Sequence, residues 1–119
     1  MEKTIIYGIP NCDTIKKTLE WFKQNNLPFV FHNYKTEGIT ATKLKAWSKI
    51  ATWQVLLNKK GTTWKKIAEE LPDEELSQAE AVKLMQEHTS MIKRPVTEVS
   101  GTILVGFNEA QYSKQFLNK

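Results

Sequence analysis

Residues 5–17, IIYGIPNCDTIKK, decide the fold, because an apolar run leads there through a short turn into a helix. Residues 4–7 have the composition of a buried strand, which Gly8 ends. An amphipathic helix is predicted over about residues 13–25. Its inward face carries Ile15, Leu19 and Phe22. Residues 29–34, FVFHNY, predict a second strand. The three elements form a βαβ unit, so the two strands are predicted to be parallel with a right-handed crossover.

The middle of the chain is predicted to be helical, from about residue 36 to residue 93. Four polar side chains there are placed to cap helices: Thr40, Thr52, Thr63 and Ser77. Residues 96–99 and 102–105 predict a hairpin across Ser100 and Gly101. A last helix follows, capped by Asn108, with an inward side that carries Ala110, Tyr112 and Phe116. The chain therefore predicts an α/β fold: a βαβ…ββα mixed sheet in one domain over residues 1–119, with a helical insertion at about 36–93.

The composition limits the kinds of function that the chain can have. One cysteine among 119 residues excludes an intramolecular disulfide, a CxxC pair and a cysteine-rich zinc site, and no ligand spacing predicts another metal site. The net charge is +4, but the lysines are interleaved with acids, which is typical of a solvated surface rather than a nucleic-acid-binding face. No stretch approaches the roughly 20 apolar residues of a membrane helix, and no secretory signal is predicted from the first residues. A soluble cytoplasmic protein is predicted, because a lone thiol suits a reducing compartment.

The lone cysteine, Cys12, is placed by the strand-turn-helix pattern at or just before the first helical turn. Free amides at a helix start carry partial positive charge, so they stabilise a thiolate, which is the nucleophilic form. The alternative is that Cys12 is a small buried hydrophobe, as free cysteines often are. Its neighbours Asn11, Asp13 and Thr14 are polar, which indicates a solvent-facing loop and favours a reactive cysteine.

Other cysteine chemistries lack the residues that they need. A phosphatase loop requires an arginine six residues after the cysteine, where this chain has Thr18. A cysteine protease requires an imidazole base, and neither His32 nor His88 has a motif around it. Both histidines are therefore interpreted as ordinary surface or strand residues.

The only arginine, Arg94, directly precedes Pro95 before a predicted strand. Its guanidinium is a planar fork of donors that matches carboxylates and oxyanions. Pro95 removes an amide donor at this place and permits a cis peptide bond. The alternative for Arg94 is an ordinary surface ion pair with one of the thirteen acidic residues.

Four segments of the sequence together resemble the arsenate reductase (ArsC) family, and most closely its YffB-like branch. They are YGIPNCDTIKK at 7–17, LLNKKGTTW at 56–64, IKRPV at 92–96 and VGFNEA at 105–110. Members of this family have a thioredoxin-like fold with a helical insertion, and the Spx-type regulators are among them. The resemblance implies that fold for nearly the whole chain.

The resemblance also implies roles for individual residues. Cys12 matches the family's nucleophilic cysteine, Arg94 matches an arginine that holds the oxyanion, and Pro95 matches the proline beside it. Asn11 and Thr14 are predicted to orient groups around the sulfur.

Three positions depart from the pattern of the arsenate reductases. Lys60 stands where they carry a second arginine, Phe107 where they carry a third, and Gly8 where a histidine precedes the cysteine. Arsenate is bound most tightly by several bidentate hydrogen bonds, which two of these three positions cannot supply. The departures therefore favour the glutathione-dependent thiol reduction that has been proposed for the branch. Because there is no second cysteine, an outside thiol must resolve a mixed disulfide at Cys12. Glutathione is the expected co-substrate, with one carboxylate on Arg94 or Lys60, and no metal or nucleotide cofactor is expected.

Two alternatives to a thiol reductase stay open. One is a non-catalytic regulator that resembles the Spx type and binds RNA polymerase. Ile15 stands where many such regulators carry the second cysteine of a CxxC switch, which excludes that switch but not binding. The other is specific arsenate reduction.

Overall fold

A computed structural model describes residues 3–70 and 76–117 of the chain. The elements are, in chain order, β1 (Ile5–Gly8), α1 (Asp13–Gln24), β2 (Val30–Asn33), α2 (Tyr34–Glu37), α3 (Ala41–Ala51), α4 (Trp53–Leu56), α5 (Thr62–Glu70), α6 (Gln78–Glu87), a 3-10 helix (Thr89–Met91), β3 (Val96–Val99), β4 (Thr102–Val105) and α7 (Glu109–Phe116). They belong to two compact units, Met1–Glu37 with Arg94–Lys119 and, separately, Gly38–Lys93. That the chain forms a single domain stays a prediction.

The first unit contains a four-stranded mixed sheet in the order β2-β1-β3-β4. β1 and β2 are parallel, β1 and β3 are antiparallel, and β3 and β4 form an antiparallel hairpin. The predicted βαβ unit and the predicted hairpin are therefore both confirmed. With α1 between the parallel strands and α7 after the hairpin, the βαβ…ββα arrangement is a thioredoxin-like α/β fold.

One face of this sheet carries an aromatic core. It consists of Ile6, Trp21, Phe22, Leu104 and Tyr112. The rings of Trp21 and Phe22 on α1 meet Tyr112 on α7 edge-on, with centroids 5.9 and 6.1 Å apart. Edge-to-face packing of this kind adds stability beyond the area it buries. The Tyr112 hydroxyl is fully paired, because it donates to the Gly106 carbonyl and accepts from Thr97 Oγ1, both at 2.8 Å. This core fixes α1 on the sheet.

The second unit is helical and is closed by one short backbone bridge. Leu57 and Ile92 pair in an antiparallel bridge, and the Lys93 amide donates to the Leu56 carbonyl at 2.8 Å. The predicted cap at Thr40 is confirmed, since its hydroxyl accepts from the Lys43 amide at 3.1 Å. The predicted capping box of α6 is also confirmed: Ser77 and Glu80 exchange hydrogen bonds. The buried apolar side chains of this second unit are Ile39, Leu44, Trp47, Leu56, Leu57, Ala81, Val82, Met85, Met91 and Ile92.

Two predicted helix caps and one predicted inward side chain are wrong. Thr52 does not cap α4 through its side chain, because its backbone is in the left-handed region, at φ 71°. Thr63 lies inside α5, which begins at Thr62, and it bonds Ser90 instead. Ala110 is exposed, because it stands two residues, or about 200° of helical rotation, from the buried Tyr112.

None of the helices within residues 3–70 and 76–117 combines the length and the hydropathy that crossing a bilayer would require.

Candidate active site

Three chain segments of the first unit come to one edge of the sheet. β1 and β2 are parallel, so their carboxyl ends share this edge, and the antiparallel β3 begins there. The loop that carries Cys12 leaves the end of β1, Tyr34 follows the end of β2, and Arg94 and Pro95 lead into β3. Ligands of α/β proteins bind at such carboxyl edges, because the loops there are free to vary.

Cys12 is the N-cap residue of α1. Its backbone is extended, at φ −146° and ψ 128°, and its carbonyl accepts from the Lys16 amide at 3.0 Å. The half-buried thiol is free and makes no capping hydrogen bond. The Cys12 side chain therefore leaves the first-turn amides uncapped, and these amides favour a negative charge near the helix start.

Arg94 and Pro95 lie beside the end of β1. Tyr7 is opposite Val96, so extending the register by one residue places Pro95 opposite Gly8. The Arg94–Pro95 peptide bond is cis, and the Pro95 carbonyl accepts from the Gly106 amide at 2.8 Å. Pro95 is buried and Arg94 is half-buried, so the backbone here is held against the hairpin while part of Arg94 stays exposed.

The other predicted site residues are solvent-exposed. Asn11 precedes Cys12, and Thr14 is the second residue of α1. Lys60 belongs to the second unit, between α4 and α5, where its amide donates to Asn58 Oδ1 at 3.2 Å. The roles of Asn11, Thr14 and Lys60 stay predictions.

Gly8 and Ile15 are fitted to each other at the base of the Cys12 loop. A Cβ atom built on Gly8 would lie 2.9 Å from Ile15 Cγ1 and would overlap Ile15 Cδ1. Both residues are buried, so this space is already filled. The end of β1 therefore has no room for a histidine in the present packing.

Phe107 is part of the aromatic core rather than of an anion site. Its ring lies 4.9 Å from that of Tyr112 and 6.2 Å from that of Trp21. It also lines, with Lys16 and Lys17, a groove of about 580 Å³ beside α1. An arginine at this position would remove the edge-to-face contacts of the Phe107 ring.

Tyr34 is a residue of this edge that the sequence interpretation missed. The prediction placed it at the end of a strand, whereas it begins α2. Burial, and then the nearby Tyr7, raise the pKa of Tyr34 well above its usual value, and the Arg94 charge opposes this. A tyrosine directly after a parallel strand was the available signal, since that position lies at the carboxyl edge.

Among residues 3–70 and 76–117, no group of three or more histidine, cysteine, aspartate or glutamate side chains is arranged to hold a metal ion.

Comparison with known proteins identifies the family. The ArsC family profile matches residues 7–115. The chain belongs to the ArsC family. A solved structure of the YFFB protein is 39% identical to this ArsC-family chain, with a TM-score of 0.85 over 93% of this chain and 96% of the other. An ArsC-related protein from Brucella melitensis is 40% identical, with a TM-score of 0.75 over 98% and 96%. The global transcriptional regulator Spx of Streptococcus pneumoniae is 29% identical over 108 residues, which are 84% of this chain and 75% of the regulator.

Proposed function

We propose that this ArsC-family protein is a thiol oxidoreductase that uses glutathione, with Cys12 as its nucleophile. The supporting observation is the free thiol of Cys12 at the N-cap of α1, on the sheet edge where Arg94 and Pro95 lead into β3. A helix start and a guanidinium both favour a thiolate and an anionic reactant.

The reaction proceeds through one mixed disulfide. The Cys12 thiolate attacks the glutathione sulfur of a substrate R–S–SG, a bond forms between the two sulfurs, and R–S⁻ leaves and takes a proton from solvent. A second glutathione thiolate then attacks the glutathione sulfur held on Cys12. Oxidised glutathione forms, and Cys12 leaves as the thiolate. The substrate sulfur is reduced and the sulfur of the second glutathione is oxidised, while the first glutathione sulfur stays at the disulfide level throughout. This sequence agrees with a chain that has no second cysteine.

Arg94 binds one carboxylate of glutathione and stabilises the thiolate, because its fork of donors makes two parallel hydrogen bonds. Pro95 shapes the backbone beside the sulfur. Lys60 supplies a weaker second anion contact, since an ammonium is a point charge without the fork. Asn11 and Thr14 orient groups around the thiol.

Arsenate is a less suitable substrate for this site. Phe107, which stands where the resemblance implies a third arginine, packs on Trp21 and Tyr112 and offers no donor. Lys60 replaces another arginine and cannot bind an oxyanion bidentately. Turnover of arsenate with glutathione at a rate comparable to that of a mixed disulfide would favour arsenate reduction instead.

A cytoplasmic regulator that binds RNA polymerase is the second candidate. The observation in its favour is the 29% identity to a relative that is named a global transcriptional regulator. Affinity capture separates the two functions. Stoichiometric recovery of RNA polymerase, unchanged by Cys12→Ser and Arg94→Ala, would favour the regulator, because thiol chemistry would then be dispensable.

Intact-mass spectrometry after exposure to oxidised glutathione tests the enzymatic proposal. We expect one glutathione adduct that is absent from Cys12→Ser and is released by fresh glutathione. We also expect oxidised glutathione to modify Cys12 more slowly in Arg94→Ala than in the wild type, because the guanidinium no longer holds a glutathione carboxylate. An adduct that forms no faster than on a free thiol, at a rate unchanged by Arg94→Ala, contradicts the proposal.

A further inference from the structure

Tyr34 carries a buried hydroxyl that the chemistry proposed at Cys12 does not use. The residue is 3% exposed, and its hydroxyl has no hydrogen-bond partner within residues 3–70 and 76–117. Buried polar groups are nearly always paired, because an unpaired one loses its bonds to water and gains nothing in return. Tyr112 in the same unit shows the usual arrangement, since its buried hydroxyl bonds both Gly106 and Thr97.

The surroundings of Tyr34 place this hydroxyl near the proposed anion site. Tyr34 directly follows β2, at the carboxyl edge that also holds the Cys12 loop and Arg94. Arg94 is close enough for its charge to act on the Tyr34 hydroxyl, against the larger effect of burial, which raises the pKa. The hydroxyl therefore stays protonated and acts as a donor. A neutral donor near a guanidinium suits an anion that both can bind.

The polar side chains next to Tyr34 make other interactions. The ring of Tyr7 lies 6.2 Å away, and its hydroxyl is directed at Glu98 Oε1, at 3.5 Å. The ring of His32 lies 5.9 Å away, and its Nδ1 is 3.9 Å from Glu37 Oε2. Neither pairs with the Tyr34 hydroxyl, whose oxygen is covered from solvent in the free protein. A bound molecule therefore reaches this donor only when the side chains that cover it shift on binding.

We propose that Tyr34 is a substrate-positioning residue whose hydroxyl donates a hydrogen bond to the carboxylate that Arg94 binds. The inference rests on the proposed function, because the carboxylate belongs to the glutathione that reacts at Cys12. A carboxylate accepts about four hydrogen bonds, so one that receives two from Arg94 still has room for the Tyr34 hydroxyl. Binding then supplies the partner that the hydroxyl lacks in the free protein.

Equilibrium binding of S-methylglutathione tests the assignment, because this probe has both carboxylates but cannot react at sulfur. We expect Tyr34→Phe to weaken binding about tenfold or more, the effect of one hydrogen bond to a charged group. Tyr112→Phe is the matched control, with an equally buried hydroxyl that is already paired, and it should leave binding within about twofold. The Tm should rise by a few degrees in Tyr34→Phe, which removes an unpaired buried donor, and fall in Tyr112→Phe.

The outcomes separate this inference from the proposed function. Affinity that is unchanged in Tyr34→Phe, or wild-type protein that does not bind S-methylglutathione, overturns the role of Tyr34. A lower Tm in Tyr34→Phe with unchanged affinity also overturns it, because the hydroxyl would then be a structural group. Weaker binding in Tyr34→Phe, together with a Cys12 that oxidised glutathione fails to modify, supports the Tyr34 role and overturns the proposed function.

Discussion

Substituting Gly8 by alanine should destabilise the protein through a single contact with Ile15. The new Cβ would lie 2.9 Å from Ile15 Cγ1 and nearer still to Cδ1, whereas relaxed carbon contacts are about 3.5–4.0 Å. Ile15 is 0% exposed, so its side chain has no free volume to move into. Gly8 and Ile15 lie on either side of Cys12 in the chain, so a shift of Ile15 would also change the position of the thiol.

The expected cost of Gly8→Ala follows from two opposing effects. Overpacking a filled core costs about 1–3 kcal/mol. Replacing glycine also restricts the unfolded chain, which returns about 0.4–1 kcal/mol. We expect a net loss of about 1–2 kcal/mol. Ile15→Val should itself cost about 0.5–1.5 kcal/mol, but it removes Cδ1 and makes room for the new methyl group. The double variant should therefore be more stable than additivity predicts, by about 1 kcal/mol.

Urea unfolding followed by tryptophan fluorescence measures these free energies, provided that the m value stays constant. Gly61→Ala is a matched control, because a Cβ at Gly61 would meet only Asn58 Nδ2, at 3.4 Å. Its stability should change by no more than about 0.5 kcal/mol, since the gain in the unfolded chain opposes a weaker helix start. A Gly8→Ala loss below about 0.5 kcal/mol, or additive effects of Gly8→Ala and Ile15→Val, would refute the reasoning.

Three further predictions concern the guanidinium of Arg94, the cap of α6 and the buried hydroxyl of Tyr112. Arg94→Lys keeps the charge but loses the fork, so we expect glutathionylation of Cys12 to slow roughly tenfold in a mass-spectrometric time course. Ser77→Ala removes the cap of α6 and should lower the free energy of unfolding by about 1 kcal/mol in urea. Hydrogen bonds from the Ser77 amide and, second, from its hydroxyl hold the pKa of Glu80 below the usual 4.5. Their stabilisation is complete above that pH and is lost as the pH falls through the lower folded pKa, and it should be smaller in Ser77→Ala, which keeps only the amide bond. Tyr112→Phe should cost about 1–3 kcal/mol in the same assay. Burial raises the pKa of Tyr112 from 10.0 to about 12, although the hydrogen bond with Thr97 lowers it. The Tyr112 hydroxyl therefore contributes fully to the free energy of unfolding below pH 10.0, and this contribution declines as the pH rises towards 12. Tyr112→Phe should lack that decline.

Each of these three has an outcome that would contradict it. Wild-type rates of glutathionylation in Arg94→Lys would show that the fork is not used. An acid limb of the stability curve that is the same in Ser77→Ala would show that the Ser77 hydroxyl bond to Glu80 contributes nothing to it. Equal stability of Tyr112→Phe and wild type would mean that the buried hydroxyl network contributes nothing.

Two helix caps and the hairpin were predicted correctly because their causes are local. Thr40 and Ser77 bond an amide three residues away, so the spacing of residue types was sufficient to predict both caps. The hairpin followed from two short apolar runs around Ser100 and Gly101. The predicted cap at Thr52 was wrong because the residue has a backbone φ of 71°. That angle is imposed by the chain on both sides of Thr52, and it cannot be predicted from the residue type.

The sequence by itself determined that the chain has one thiol and one guanidinium, that the thiol stands at a helix start, and that no second cysteine can resolve a mixed disulfide. Only the tertiary structure decided that Phe107 packs against the core and that Ile15 fills the space beside Gly8. It alone also decided that the Tyr34 hydroxyl is buried at the same edge as Arg94, with no hydrogen-bond partner among the residues that the structure describes. The physical reason is that burial and pairing depend on residues far apart in the chain, which the strand register brings together and a local pattern does not contain.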